Sequence, residues 1–250
     1  MNKFKVRNLF QLVFLGLWIL LIIYLIPIIF GNCHQFCPYA AVCFGAMTFS
    51  GFFAYLPMVI IGLLIAVSTI FIGRKFCGYI CFIGALQEQI FRLNRKKEKN
   101  RLPPTIHKFL SIFKYLVFLL TLLLAIFLLQ YKFMDFCPII ALSFLNSITF
   151  LGIISLFFIL VIGFFVERFW CRYLCPYAAL MNVFQFIGSK LGIRRQKIKR
   201  NLEVCIDCYL CTRNCPMNID LTQFEEISDP NCIHCLKCIE KCPKDKCLTC

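Results

Sequence analysis

The chain has 250 residues, of which 60% are hydrophobic, and it carries a net charge of +15 with a mean hydropathy of +0.79. Soluble domains are about 45–50% apolar, so this composition excludes an ordinary water-soluble domain and places the chain among membrane proteins. The basic residues lie beside apolar segments, where they orient helices and meet anionic headgroups, and we therefore exclude a nucleic-acid partner.

Four segments are long and apolar enough to cross a lipid bilayer as helices. They comprise residues 9–30, 52–73, 109–129 and 148–166. A helix of about 22 residues is about 33 Å long, which is sufficient for a hydrocarbon core of about 30 Å. The first segment is too long for a signal-peptide core and no small-residue cleavage site follows it, so we expect it to be retained. The sequence therefore predicts an all-α, multi-pass domain with four transmembrane helices in the cytoplasmic membrane.

The distribution of Lys and Arg predicts how these helices are oriented. Of the 27 basic residues, only Lys132 lies in a loop on the side opposite to both termini. Lys114, near the start of the third segment, can extend its amine to the headgroups. By the positive-inside rule, both termini are cytoplasmic.

The helical part of the sequence repeats itself. Residues 74–81 (RKFCGYIC) follow the second segment, and residues 168–175 (RFWCRYLC) follow the fourth. We call these two octapeptides the exit motifs, because each lies where an apolar segment is expected to leave the membrane. They differ in one respect, since Phe82 occupies the place after the first motif that Pro176 occupies after the second. The repeat predicts two tandem helical hairpins within a membrane domain at residues 1–200.

The composition becomes polar and cysteine-rich from Asn201, which predicts a small second domain at residues 201–250. Cysteines recur there in two copies of the pattern C-x2-C-x2-C-x3-C-P. In this spacing three thiolates bind one [4Fe-4S] cluster and the fourth binds the neighbouring cluster. The predicted ligands are Cys205, Cys208, Cys211 and Cys242 for the first cluster, and Cys232, Cys235, Cys238 and Cys215 for the second. Zinc is the alternative, but zinc requires neither the third cysteine nor the proline.

The remaining cysteines leave several alternatives open. A third cluster site is expected if the repeats pair and bring together the cysteines of the exit motifs, which are Cys77, Cys81, Cys171 and Cys175. The alternative is that these residues only pack near the interface. Four further cysteines lie on the predicted outside, namely Cys33, Cys37, Cys43 and Cys137. The alternatives for them are cluster ligands, a disulfide or packing residues. The alternatives for Cys247 and Cys250 are spare thiols, ligands to a partner's metal and an alternative fourth ligand.

Four apolar segments, the two exit motifs and a two-cluster tail together resemble the NapH/MauN-type ferredoxin-like membrane proteins. Relatives of that family include the membrane part of the nitrous-oxide reductase regulator. The resemblance covers nearly the whole chain and implies a quinol dehydrogenase component that takes electrons from menaquinol or another quinol. It also implies that other iron–sulfur or reductase proteins receive them. The outer C-x3-C-P at Cys33, Cys37 and Pro38 is not expected in the best-known members.

The sequence supports three functions of different kinds. The first is electron exchange between the membrane quinone pool and redox partners through [4Fe-4S] clusters. The second is a non-catalytic membrane anchor for ferredoxin-type clusters, and the third is an iron–sulfur redox sensor or assembly factor. His34 and His107 are candidates for a quinol site because imidazole accepts protons near neutral pH. The alternative is that both are solvated interfacial histidines.

The predicted orientation can be tested by labelling the C-terminus. In intact cells, a membrane-impermeant reagent should leave a tag after Cys250 unlabelled and should label it only after the membrane is opened, because the basic side is cytoplasmic. A tag placed beside Lys132 serves as the control and should be labelled in intact cells. Labelling of the C-terminal tag in intact cells would reverse the topology.

Overall fold

A computed structural model of the chain describes residues 3–20, 39, 56–94, 103–127, 150–193, 197–223, 225–244 and 246–249. Its longer helices are α1 (Lys3–Leu20), α2 (Leu56–Ile72), α4 (Phe82–Leu93), α5 (Pro104–Ile126), α6 (Phe150–Phe165) and α7 (Pro176–Lys190). The short helix α3 (Lys75–Tyr79) lies in the first exit motif, and a π-helical turn (Trp170–Leu174) lies in the second. The tail contains β1 (Ile198–Arg200), α8 (Leu210–Arg213), β2 (Glu226–Ile227), α9 (Lys237–Glu240) and β3 (Leu248–Thr249).

Helices α1, α2, α5 and α6 present large apolar side chains on the outer surface of the molecule. Phe10, Leu64, Phe109 and Phe157 are each at least half exposed. Among the described residues, one stretch, Thr105–Ile126, is long and apolar enough to cross a membrane, while Val59–Ile72 and Phe150–Phe165 are apolar but shorter. Parts of the other three predicted spans lie outside the described residues.

The two halves of the helical part interleave. Helix α7 of the second half packs against α2 of the first half, and α4 of the first half packs against α6 of the second. Cys81 and Cys175 occupy the equivalent positions immediately before α4 and α7, both with extended backbone (ψ 114° and 112°). Pro176 begins α7 with the fixed φ that suits a first helical residue, and α4 begins at Phe82 without it. The interleaving therefore places the two exit motifs side by side.

The tail is organised around a three-stranded antiparallel sheet with the order β2-β1-β3. Strand β1 pairs Ile198 with Ile227 of β2, and it pairs Arg200 with Leu248 of β3. The central strand thus lies just before Asn201, where the change in composition predicts the domain boundary. The basic segment that precedes Asn201 therefore contributes a strand to the tail.

One hydrophobic core joins the tail to the helical part. Cys77, Tyr177 and Met181 belong to the same buried cluster as Ile198 and Ile233 of the tail. Burial of apolar area stabilises such contacts by about 25 cal/mol per Å². The tail is consequently packed against the exit motifs and is not tethered through a free linker.

A buried ion-pair cluster holds the helices together beneath the exit motifs. Glu88 on α4 accepts hydrogen bonds at 2.6 Å from both Arg7 of α1 and Arg168, and all three side chains are at most 2% exposed. Arg92, one turn along α4, adds a third contact at 2.9 Å. Burial alone would raise the pKa of Glu88, but Arg168 and Arg7 hold it well below its usual range. The carboxylate is therefore ionised at neutral pH and connects three elements.

We expect Glu88→Gln to destabilise the protein by about 3–5 kcal/mol, because it leaves two buried guanidinium groups without a counter-charge. Thermal unfolding of the detergent-purified protein provides the measurement. Glu226→Gln is the matched control, since Glu226 pairs with Lys197 and Lys199 at an exposed site, where water screens the charges and such pairs contribute little to stability. Equal melting temperatures for the two variants would contradict the role of Glu88.

Candidate functional site

The two cysteine loops of the tail share an unusual backbone conformation. Asp207 and Tyr209 in the first loop have φ values of 49° and 58°, and His234 and Leu236, at the same places in the second loop, have 49° and 60°. Non-glycine residues rarely adopt this left-handed region, and doing so costs free energy. The surrounding structure must therefore enforce the same tight winding in both loops.

This winding aims backbone N–H groups at cysteine sulfurs. The N–H groups of Asp207, His234 and Lys237 donate to the sulfurs of Cys205, Cys232 and Cys235, respectively. Successive N–H groups that point into a concave loop form an anion-binding nest, which is a common setting for iron–sulfur clusters. The donors favour thiolate sulfur, which is the form that binds iron.

The first loop borders a cavity that is lined by five cysteines. They are Cys205, Cys208, Cys211, Cys242 and Cys247, around about 370 Å³ of space not occupied by protein atoms. Arg200 on β1 donates from Nε to the sulfur of Cys205 at 3.2 Å, and its guanidinium also pairs with Asp207. Four of these cysteines are the first predicted ligand set, including Cys242 from the second motif.

The second loop borders an equivalent cavity, open to solvent, with about 330 Å³ of space not occupied by protein atoms. Its cysteines are Cys215, Cys232, Cys235 and Cys238, which are the second predicted set, including Cys215 from the first motif. Helices α8 and α9 pack against each other, and each carries the third cysteine of its motif. Burial raises the pKa of both Cys215 and Cys232 to about 12, so a bound metal must displace the thiol protons. The donor chemistry of both cavities fits iron–sulfur clusters, and ligation itself remains a prediction.

The second cysteine loop lies directly on the first exit motif. A Cβ atom at Gly78 would overlap the carbonyl oxygen of Ile233, and one at Gly73 (φ +70°) would lie 2.8 Å from Nε2 of His234. His234 is 3% exposed at this contact. Lys237 adds an ion pair at 2.8 Å to the buried Glu167, next to the second exit motif.

The structure brings the four exit-motif cysteines together behind this loop. Cys77 and Cys171 are 5% and 2% exposed, and the thiols of Cys81 and Cys171 hydrogen-bond to each other. That hydrogen bond is the main cause that lowers the pKa of Cys81 to about 6, whereas burial raises the pKa of Cys175 to about 12. Among the described residues, no group of three or more His, Cys, Asp or Glu side chains is arranged to hold a single metal ion.

Positive charge is in excess around these cysteines. Five cationic side chains in the described part of the chain are at most 2% exposed, namely Arg7, Arg74, Lys114, Arg168 and Arg172. The carboxylates buried to the same degree are Glu88 and Glu167. Arg74 contacts the amide oxygen of Asn231 and lies 4.0 Å from the sulfur of Cys77. Buried charges require nearby opposite charge, so this region favours an anionic group.

The basic residue expected to reach the headgroups is also buried here. Lys114 on α5 is 1% exposed and donates to Asn231, one residue before Cys232 of the second loop. Nothing in the local sequence marks this contact, because the partners are 117 residues apart. The expectation that Lys114 extends to the membrane surface is therefore wrong.

The two histidine candidates have different outcomes. Nδ1 of His107 lies 2.9 Å from the hydroxyl of Tyr173, which is 1% exposed between Cys171 and Cys175. His34 lies outside the described residues, as do Cys33, Cys37, Cys43, Cys137 and Cys250.

Comparison with known families agrees with these two kinds of cysteine site. Residues 197–243 match the 4Fe-4S dicluster domain family, and residues 53–101 and 148–194, which contain the two exit motifs, match a second family described as a 4Fe-4S binding domain. The cavities and these matches define an iron–sulfur protein. No solved structure matches the chain.

Three relatives have a similar sequence. The uncharacterized protein MJ0750 of Methanocaldococcus jannaschii is 35% identical over 72% of this chain and 74% of its own length. YccM of Escherichia coli, named as a candidate electron transport protein, is 29% identical over 73% of this chain and 52% of its own length. Regulatory protein NosR of Pseudomonas aeruginosa is 30% identical over 60% of this chain and 21% of its own length. The chain belongs to the same family as MJ0750, and its own domain matches are to 4Fe-4S families.

We expect Cys208→Ala and Cys235→Ala each to remove one cluster, because the two side chains line different cavities. Each variant should lose about four irons and four labile sulfides per chain. Iron and sulfide analysis with low-temperature EPR of the reduced protein provides the measurement. Full EPR signals in both variants would contradict the assignment of these ligands.

Proposed function

We propose that the protein exchanges electrons between a membrane quinol, menaquinol or a related quinol, and other iron–sulfur or reductase proteins. The observation that carries this proposal is the direct packing of the second cysteine loop on the first exit motif through Gly78 and Ile233. A quinol gives up two electrons when it is oxidised. Bound [4Fe-4S] clusters would accept these electrons one at a time. The printed name of YccM as a candidate electron transport protein agrees with this function.

The proposal includes four membrane spans with both termini in the cytoplasm. The exposed apolar faces of α1, α2, α5 and α6 support it, since a continuous surface of this kind is costly in water. The tail shares one hydrophobic core with the exit motifs, and this contact would hold it at the cytoplasmic surface of the cytoplasmic membrane. The basic residues near the exits would meet anionic headgroups there.

The proposal assigns two clusters to the tail and a third to the exit motifs. The third site rests on four adjacent cysteines surrounded by an excess of buried cations, chiefly Arg74, Arg168 and Arg172. N–H groups of Ile83 and Gly84 also donate to the sulfur of Cys81, as the tail loops do to theirs. A [4Fe-4S] cluster with four thiolate ligands has a net negative charge, which would offset positive charge that the described carboxylates leave over. Packing cysteines alone would leave that charge unbalanced.

His107 and Tyr173 form the proton-accepting side of the proposed quinol site. Oxidation of a quinol releases protons, which the imidazole and the hydroxyl could relay through their hydrogen bond. The hydrogen bond between Nδ1 of His107 and the Tyr173 hydroxyl orients the ring, and Tyr173 is adjacent in sequence to Arg172 and near both cysteines of its motif. This arrangement would release protons within a short distance of the sulfurs.

The double variant Cys171→Ser/Cys175→Ser tests the proposal. We expect a large loss of quinol-driven reduction with the tail clusters still assembled, because the tail has its own eight ligands. The absorbance of the oxidised clusters, followed after addition of a menaquinol analogue, gives the rate. Reduction by dithionite is the control and should remain complete. Normal rates of quinol-driven cluster reduction in the double variant would show that the exit cysteines are only packing residues.

The total iron content distinguishes the number of clusters. We expect about twelve irons per chain with the third site filled and about eight without it. The double variant should therefore lose about four irons relative to the unmodified protein.

A redox sensor is the second candidate function, because the similarity to regulatory protein NosR favours it. A sensor or a passive anchor would assemble the same clusters but would not accept electrons from quinol. Absence of quinol-driven reduction in the unmodified, fully loaded protein would therefore favour one of these two functions.

A further inference from the structure

The first cysteine cavity contains one more cysteine than a cluster requires. Cys247 is 3% exposed and lines this cavity together with the four cysteines of the first predicted set. The second cavity has the same loop conformation, yet four cysteines line it. The difference between two otherwise equivalent sites gives an internal comparison.

The sheet of the tail holds Cys247 in place independently of the cysteine loops. The N–H of Asn201, directly after β1, donates to the carbonyl oxygen of Cys247 at 2.8 Å. The next residue, Leu248, pairs with Arg200 in the ladder between β1 and β3. Lys246 before it has a φ of 63°, a conformation that costs free energy in a non-glycine residue and turns the chain into the strand. The position of the thiol is therefore fixed by backbone structure.

Cys247 lies within reach of the position that Cys242 would occupy as the fourth ligand. It lines the same cavity as Cys205 and Cys242, and its sulfur lies 3.9 Å from the carbonyl oxygen of Asn201. Cys242 is half-buried and is followed by exposed residues, whereas Cys247 is buried. Of these two cysteines, Cys242 is thus the one that water and oxidants reach more easily.

We propose that Cys247 is a reserve ligand for the first tail cluster, which replaces Cys242 when that thiolate leaves the iron. In the exchange, the bond from iron to the Cys242 sulfur breaks and that sulfur takes a proton. Cys247 loses its proton, and its thiolate forms the new bond to iron. No electron is gained or lost, so no oxidant or reductant is needed. The inference rests on the proposed pair of tail clusters and adds a protective role for a residue outside both motifs.

Four variants test this inference: Cys242→Ala, Cys247→Ala, the double variant of both, and Cys215→Ala as the matched control. Cys215 is the fourth member of the second set, which has no fifth cysteine among its described lining residues. We expect Cys242→Ala to keep its full iron and sulfide content, with an altered EPR signal because the ligand has changed. Cys247→Ala should also keep full content. The double variant and Cys215→Ala should each lose about four irons.

The cluster that is not targeted reports on folding. In the Cys242 and Cys247 variants, an intact EPR signal from the second cluster shows that the tail has assembled. Alkylation followed by mass spectrometry adds a second measurement, since Cys247 in folded Cys242→Ala should be protected until the cluster is removed by a chelator.

If Cys242→Ala lost one cluster, to the same extent as Cys215→Ala, the role of Cys247 would be overturned and the proposed function would stand. The same iron content in Cys242→Ala and in the double variant would also overturn the role of Cys247. Absence of labile sulfide from the unmodified protein would instead overturn the proposed function and this inference together.

Discussion

Buried positive charge is the constraint on which the arrangement of this protein depends. Arg7 and Arg168 share the carboxylate of Glu88, but Arg74 and Arg172 have no carboxylate at hydrogen-bonding distance in the described part of the chain. Because isolated charges are costly away from water, such a region is stable only with compensating negative charge nearby. Thiolate-ligated clusters would supply that charge. The same arginines would then be stabilised by the bound clusters.

This view explains why the helical halves interleave. An exit motif has two cysteines, which is half of a four-ligand set. Packing α7 on α2 and α4 on α6 brings the two motifs together, so that Cys81 and Cys171 hydrogen-bond to each other. A side-by-side arrangement of two independent hairpins would keep the pairs apart. The buried Glu88 cluster stabilises the interleaved form, since it links α1 and α4 with the start of the second motif.

The spacing of the cysteines along the tail predicted which cysteines line each cavity. The two C-x2-C-x2-C-x3-C-P motifs indicated both cavities, because the longer gap before the fourth cysteine of each motif directs that cysteine to the other motif's cavity. The contact between Gly78 and Ile233, the burial of Lys114 against Asn231 and the strand at residues 198–200 could not be predicted in this way. These features depend on packing between segments far apart in sequence. Cys247 belongs with them, because only the pairing of β3 with β1 carries it to the cavity.

The close fit at Gly78 limits how such tails can be exchanged between proteins. Soluble ferredoxin-like units are often treated as modules that can be transplanted from one chain to another. Here Gly78 of the first exit motif has no space for even a methyl group, because the backbone carbonyl oxygen of Ile233 in the second cysteine loop lies against it. A chimera with a foreign two-cluster tail would therefore need a matching backbone path at that loop, however well its cysteines aligned. The tail and the helical part are in this sense a single matched pair.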